Sequence, residues 1–128
     1  MNILIAEDEA LIAFDTAYTV EALGHQVTGP FGRADDAKAG SDGIEIALVD
    51  VNLSDGETGP ALADFLYRGG ATVIFTTGNP EIVESNTSAI GILVKPYTTV
   101  GLTQAIDYAS AYRMGTPLPH PGILHVLG

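Results

Sequence analysis

Ile46-Ala47-Leu48-Val49-Asp50 is an uninterrupted apolar run that ends on an acid. A strand covered on one face alternates apolar and polar residues, whereas a strand covered on both faces reads as a continuous apolar run. The stretch is therefore read as an interior strand with Asp50 at its carboxyl end. Working outward, the same pattern recurs. Ile3-Leu4-Ile5-Ala6 runs into Glu7-Asp8, Thr72-Val73-Ile74-Phe75 into Thr76-Thr77-Gly78, and Ile92-Leu93-Val94 into Lys95-Pro96. Val27-Thr28 marks a shorter strand, stopped by Gly29-Pro30.

Helix-like segments separate these runs. Residues 9 to 23 read as a helix closed by Gly24, and residues 33 to 39 as a short one ending at Gly40. Pro60 suits the first turn of a helix through Arg68. Thr98 or Thr99 caps a last helix to about Arg113. Strand alternating with helix predicts an α/β domain, a parallel sheet covered on both faces. Sheets of this kind bind ligands beyond the carboxyl ends of their strands, where strand order reverses.

The bulk composition narrows the function classes. With 128 residues the chain is one domain's worth, and no run approaches the length of a membrane span. The start, Met1-Asn2-Ile3-Leu4-Ile5-Ala6-Glu7-Asp8, lacks the basic opening and long apolar stretch of a signal peptide. There are no cysteines, which excludes disulfides and thiolate chemistry. Five basic residues against sixteen acidic give a net charge of −11, which argues against binding nucleic acid. The expectation is a cytoplasmic protein with neither membrane nor nucleic-acid contacts. A single domain is read over residues 1–113. Residues 114–128, with Pro117, Pro119 and Pro121, are read as a tail outside the core. Its His120 and His125 are too few for a metal site.

The strand ends carry the chemistry. In a parallel sheet Glu7, Asp8, Asp50, Thr77 and Lys95 all come to one edge. Each carboxylate pair there costs on the order of 4 kcal/mol at about 4 Å and an effective dielectric near 20. Lys95 offsets part of that, and a hard divalent cation is the natural remainder. Oxygen ligands without Cys or His point to Mg²⁺. Asp50 can act as a carboxylate nucleophile, with Lys95 and a threonine hydroxyl binding phosphoryl oxygens. Taken singly, each residue has a plainer role as a cap, a turn residue or a solvated side chain. Acid pair, Asp, Thr-Gly and Lys-Pro, each closing its own strand in order, make chance a poor account.

With Ile-Leu-Ile-Ala-Glu-Asp-Glu at 3–9, Ala-Leu-Val-Asp-Val-Asn-Leu around Asp50 and Leu-Val-Lys-Pro-Tyr at 93–97, residues 2 to 113 closely resemble the receiver domain of bacterial response regulators. The resemblance implies a flavodoxin-like (βα)5 doubly wound sheet of five parallel strands in the order 2-1-3-4-5. It makes Asp50 the phosphoacceptor, loaded by a histidine kinase or histidine phosphotransfer protein. Glu7, Asp8, Asp50 and the Asn52 backbone carbonyl become the Mg²⁺ ligands, and Thr77 and Lys95 the phosphoryl-binding pair. Asn52 and Asn79, two positions beyond Asp50 and Thr77, would tune phosphoryl lifetime. The Lys95-Pro96 bond is typically cis in such domains. The chain would be no turnover enzyme, catalysing only its own phosphorylation and dephosphorylation.

Departures from the pattern matter too. Glu7 stands where Asp is common, and Ile92 where an aromatic switch residue is frequent. Residues 79–88 are too polar for a firm helix. Phe75-Thr76-Thr77-Gly78 resembles the Phe-Ala/Thr-Thr-Gly subgroup of mostly alphaproteobacterial single-domain regulators. That likeness implies a short or irregular fourth helix, ordered by phosphorylation. On the first helix Ile12, Ala13, Thr16, Val20 and Leu23 form the expected core stripe. Leu11, Phe14 and Tyr18 lie on the other side, and receivers meet kinase helices there. The alternative cover for them is the tail segment Ile123-Leu124-His125-Val126-Leu127.

Two other readings are weighed. A haloacid-dehalogenase-type phosphohydrolase also uses Asp after a strand, but Asn52 stands where that scheme needs an acid. A receiver-like binding module without phosphorylation would normally have lost one of Asp50, Asp8, Thr77 or Lys95.

Overall fold

The computed structural model describes residues 1–116, 118–119 and 121–127. His120 therefore lies outside the described residues. The elements run β1 (Asn2–Ala6), α1 (Ala10–Ala22), β2 (Gln26–Phe31), α2 (Ala34–Ala39), β3 (Ile46–Asp50), α3 (Gly59–Arg68) and β4 (Thr72–Thr77). A 3-10 turn (Pro80–Ile82) follows, then β5 (Ala89–Val94), α4 (Thr99–Arg113) and β6 (Leu124–Val126). The sheet order is β2-β1-β3-β4-β5-β6. The first five strands are parallel and in the expected order, and β6 joins the β5 edge antiparallel.

Strand alternation divides the core. Leu4, Ala6, Ala47, Val49, Val73, Phe75 and Ile92 face α2 and α3, meeting Ala34, Ala37, Leu62, Ala63 and Leu66. Ile3, Ile5, Ile46, Leu48, Ile74 and Leu93 face the opposite way, onto Ala17 and Val20 of α1 and Leu102, Ala105, Ile106 and Ala109 of α4. Because both faces are covered, β3 is buried along its whole length. Pro60 sits in the first turn of α3, and Thr98 caps α4 by accepting a 2.9 Å bond from the Gly101 amide.

Four expectations need correction. The tail is not outside the core, since Leu124 is buried among the α1/α4-side residues and the sheet gains a sixth strand. It does not cover α1 either; Leu11, Phe14 and Tyr18 stay 86%, 70% and 74% exposed. The second strand does not stop at Gly29-Pro30. That bond is cis, and pairing resumes beyond a register shift at Ala6 and Phe31. A strand at the sheet edge tolerates a proline because its outer N–H needs no partner. Finally, the buried stripe of α1 is Ala13, Thr16, Ala17, Thr19 and Val20, while Leu23 is exposed.

The segment after β4 makes one 3-10 turn and no α-helix. Asn86 Oδ1 accepts from the amides of Ser88 (2.7 Å) and Ala89 (3.2 Å), an alternative to helical bonding that Asn and Ser side chains offer readily. No helix among the described residues is long and apolar enough to cross a membrane.

Candidate functional site

The carboxyl ends of β1, β3, β4 and β5 form a cleft of about 350 Å³. It is lined by Asp8, Glu9, Asp50, Asn52, Thr77, Gly78, Asn79 and Lys95. It lies over β1 and β3, the point where the strand order reverses. Glu7, one residue past β1, lies beneath the cleft and is only 4% exposed, while Asp8 faces solvent. The Glu7 amide donates to the Phe31 carbonyl (2.8 Å), so the resumed end of β2 fixes where the acid pair begins.

Lys95 organises the charges. Its Nζ lies 2.8 Å from Asp50 Oδ2, 2.6 Å from Glu7 Oε1 and 3.9 Å from Glu9 Oε1. The Glu7 contact is an ion pair rather than an aligned hydrogen bond, and Oε1 has no other protein partner. Glu7 Oε2 accepts from the Glu9 amide at 3.2 Å. Lys95 itself is positioned by its amide, which donates to the Thr77 carbonyl at 2.9 Å, and it precedes a cis bond to Pro96. Burial alone would lower the Lys95 pKa, but pairing with Asp50 and Glu7 outweighs it and the net shift is upward. The ammonium is held charged.

Burial raises the Glu7 pKa above 4.5, against the opposing pull of Lys95 and the Glu9 amide. The folded chain thus binds this proton more readily than the unfolded chain. Glu7 ionisation therefore subtracts stability as pH rises from 4.5 through the raised value. In metal-free urea melts, wild type is expected to lose stability relative to Glu7→Gln across that window. A difference that stays constant with pH would show that the Glu7 proton has no part in folding.

Thr77 is buried, and its hydroxyl oxygen accepts from the Asn79 amide at 3.0 Å. The hydroxyl proton is left to donate elsewhere. Glu7, Asp8 and Asp50 each offer a carboxylate oxygen, and these atoms lie within 4.8 Å of one another. Three hard oxygen donors around a net negative cleft fit a divalent cation such as Mg²⁺.

Leu11 borders a second groove of about 350 Å³ with Ile12, Asp15, Thr16, Lys95, Pro96 and Tyr97. Phe14 and Tyr18 extend the apolar surface of α1 away from it. Sequence reasoning missed three residues of the neighbourhood. Glu9 is part of the Lys95 cluster and could have been read from Glu7-Asp8-Glu9. Thr16, placed in the core stripe, also bonds the Tyr97 hydroxyl at 2.7 Å. The third is Gly59, where a Cβ would overlap the Asp50 carbonyl oxygen and lie 2.6 Å from Val51 Cα. A glycine just before the helix-opening Pro60 was the available signal.

No family model matches the chain. It is 34% identical over 114 residues to the phyllosphere-induced regulator PhyR of Methylorubrum extorquens, covering 84% of this chain and 43% of that protein. Its fold matches the response regulator PhyR of Brucella abortus with a TM-score of 0.78 and 29% identity, covering 90% of this chain and 49% of that one. The same fold recurs in a CheY-like response regulator receiver domain protein of Methanospirillum hungatei, with a TM-score of 0.79 and 24% identity, over 89% of this chain and 96% of that one. The chain spans about half the length of the curated relatives it matches, 43% to 60%.

Proposed function

The chain is a receiver domain of the response-regulator family, and on that premise we propose that it accepts a phosphoryl group on Asp50 from a phosphohistidine donor. The observation that carries this is Asp50 held 2.8 Å from Lys95 in a cleft it shares with Asp8 and Thr77. An Asp50 carboxylate oxygen attacks phosphorus, the P–N bond breaks, and the imidazole keeps the electron pair and takes up a proton. Lys95 holds Oδ2, orienting the carboxylate, and its charge meets the phosphoryl oxygens. The Thr77 hydroxyl donates its free proton to another of them. Glu7, Asp8, Asp50 and the Asn52 carbonyl would hold Mg²⁺, which when bound neutralises charge shared by acceptor and phosphoryl group. Asn52 and Asn79, both on the cleft wall, would govern water access and so the lifetime of the aspartyl phosphate. Ordering of residues 79–90 on phosphorylation belongs to the same reading.

Incubation with acetyl phosphate, with and without Mg²⁺, tests the proposal by intact mass and by mapping the modified peptide. The expected result is one phosphoryl group on the Asp50 peptide, absent when the metal is chelated. Donor turnover without an adduct would favour a hydrolase. A folded protein showing neither result would favour a binding module.

The histidine donor, a kinase or a phosphotransfer protein, would dock on Leu11, Phe14 and Tyr18, an exposed apolar strip that starts at the groove Leu11 shares with Lys95 and continues along α1. Phe14→Ala is expected to slow transfer from that partner roughly tenfold, as loss of a central aromatic anchor does. Acetyl phosphate labelling should be unchanged. Equal partner transfer rates in variant and wild type would remove α1 from the interface.

A further inference from the structure

The β5 edge is built to receive a strand. Gly91 sits at its centre, and a Cβ there would stand 3.0 Å from Leu124 Cγ and 3.2 Å from the His125 carbonyl oxygen. Gly91, Ile92 and Leu93 pair with Val126, His125 and Leu124, and the Leu127 amide donates to the Ile90 carbonyl at 2.9 Å. Leu124 is 3% exposed, and Ile123 rests over Gly101 of α4. The C-terminal strand is thus gripped by two elements, β5 and α4.

Those two elements are joined by four residues, Lys95 to Thr98. Lys95 is the first of them, and its ammonium is now bound to Asp50 and Glu7. Any rearrangement at Lys95 acts on both halves of the seat. The seat has little tolerance, because the Gly91–Leu124 approach is tighter than an added methyl would allow.

We infer that residues 123–127 are a displaceable ligand of the β5 edge, a strand-accepting surface whose affinity for them falls when Asp50 is phosphorylated. The inference rests on the phosphoacceptor reading above. A phosphoryl group on Asp50 draws Lys95 from its present partners, shifts β5 against α4 and spoils the fit of Leu124 and Ile123. Coupling is reciprocal, so a docked strand also opposes phosphorylation. The ligand of this surface is the chain's own segment, present at the high local concentration that a short tether gives.

Amide exchange of the full chain, read beside intact mass with acetyl phosphate and Mg²⁺, tests this. Exchange at Leu127, His125 and Ile92 is expected to rise at least about tenfold in the phosphorylated form, within the usual range of coupling. Leu124→Asp and Gly91→Ala, which loosen the seat from opposite sides, should each raise the phosphorylated fraction held with sub-saturating acetyl phosphate about fivefold. An adduct with unchanged exchange at Leu127 overturns the inference and leaves the phosphoacceptor reading intact. Wild-type phosphorylated fractions in both variants, with exchange showing the strand released, overturn it equally. No adduct on any form would remove the reading and the inference together.

Discussion

Asp50→Asn is expected to abolish the phosphoryl adduct completely while leaving the fold nearly as stable as wild type. The amide that replaces the carboxylate is not a nucleophile toward phosphorus under the same conditions, and no second acid among the described residues is placed like Asp50. Glu7 lies beneath the cleft with its oxygens bound to Lys95 and the Glu9 amide. Asp8 is on the exposed rim. Stability should change little because two effects oppose. The amide oxygen can still accept from Lys95, whose other strong partner, Glu7, remains at 2.6 Å. Losing one of three clustered carboxylates also relieves repulsion worth on the order of a few kcal/mol at short range. Intact mass and a thermal melt on one sample decide the matter. An adduct that survives in the variant and maps to another residue would sink the assignment of Asp50.

Gly59→Ala should produce the largest loss of stability of any glycine-to-alanine change among the described residues. Gly59 opens α3 directly against the end of β3, and its amide donates to the Val51 carbonyl at 3.0 Å. The added Cβ would overlap the Asp50 carbonyl oxygen and stand 2.8 Å from that of Val51. These are backbone atoms, so no rotamer change relieves the clash. Overpacking costs typically about 1–3 kcal/mol, and a rigid site belongs at the upper end or above. For a domain of this size that is a fall in Tm of roughly 10 °C. The atoms that must yield belong to Asp50 and Val51, so labelling by acetyl phosphate should slow as well. An unchanged melting temperature would mean that α3 can back away freely, contrary to the tight seat described.

The contrast between these two positions shows what a sequence carries. Asp50 was legible because β3 is covered on both faces, which leaves an unbroken apolar run that its terminal acid interrupts. Lys95, Thr77 and Asp8 were legible for the same reason. The demand on Gly59 arises from a helix start meeting a strand end, and nothing in the local sequence states that distance. The Thr16–Tyr97 bond likewise joins residues 81 apart. Strand β2 was cut short at Gly29-Pro30 because the rule against proline assumes an interior strand, whereas β2 lies at the edge. The α1 stripe departs from expectation at Ile12 and Leu23 because the small Ala17, with Val20, packs among the sheet's side chains and lets the helix lie close. Strand β6 was unreadable for a further reason. Its partner is whatever edge the rest of the chain leaves open, and three residues after a proline-rich stretch carry little β signal of their own.

That last strand also bears on colloidal behaviour. Ala89-Ile90-Gly91-Ile92-Leu93-Val94 contains no charge and no proline, the composition that templates cross-β stacking when an edge is left bare. Natural sheets blunt such edges with short or covered strands. Here the outermost strand is three residues long where β5 is six, and its central His125 is exposed. With β6 paired to it, the β5 edge is closed to fibrillar self-association for as long as that strand stays docked.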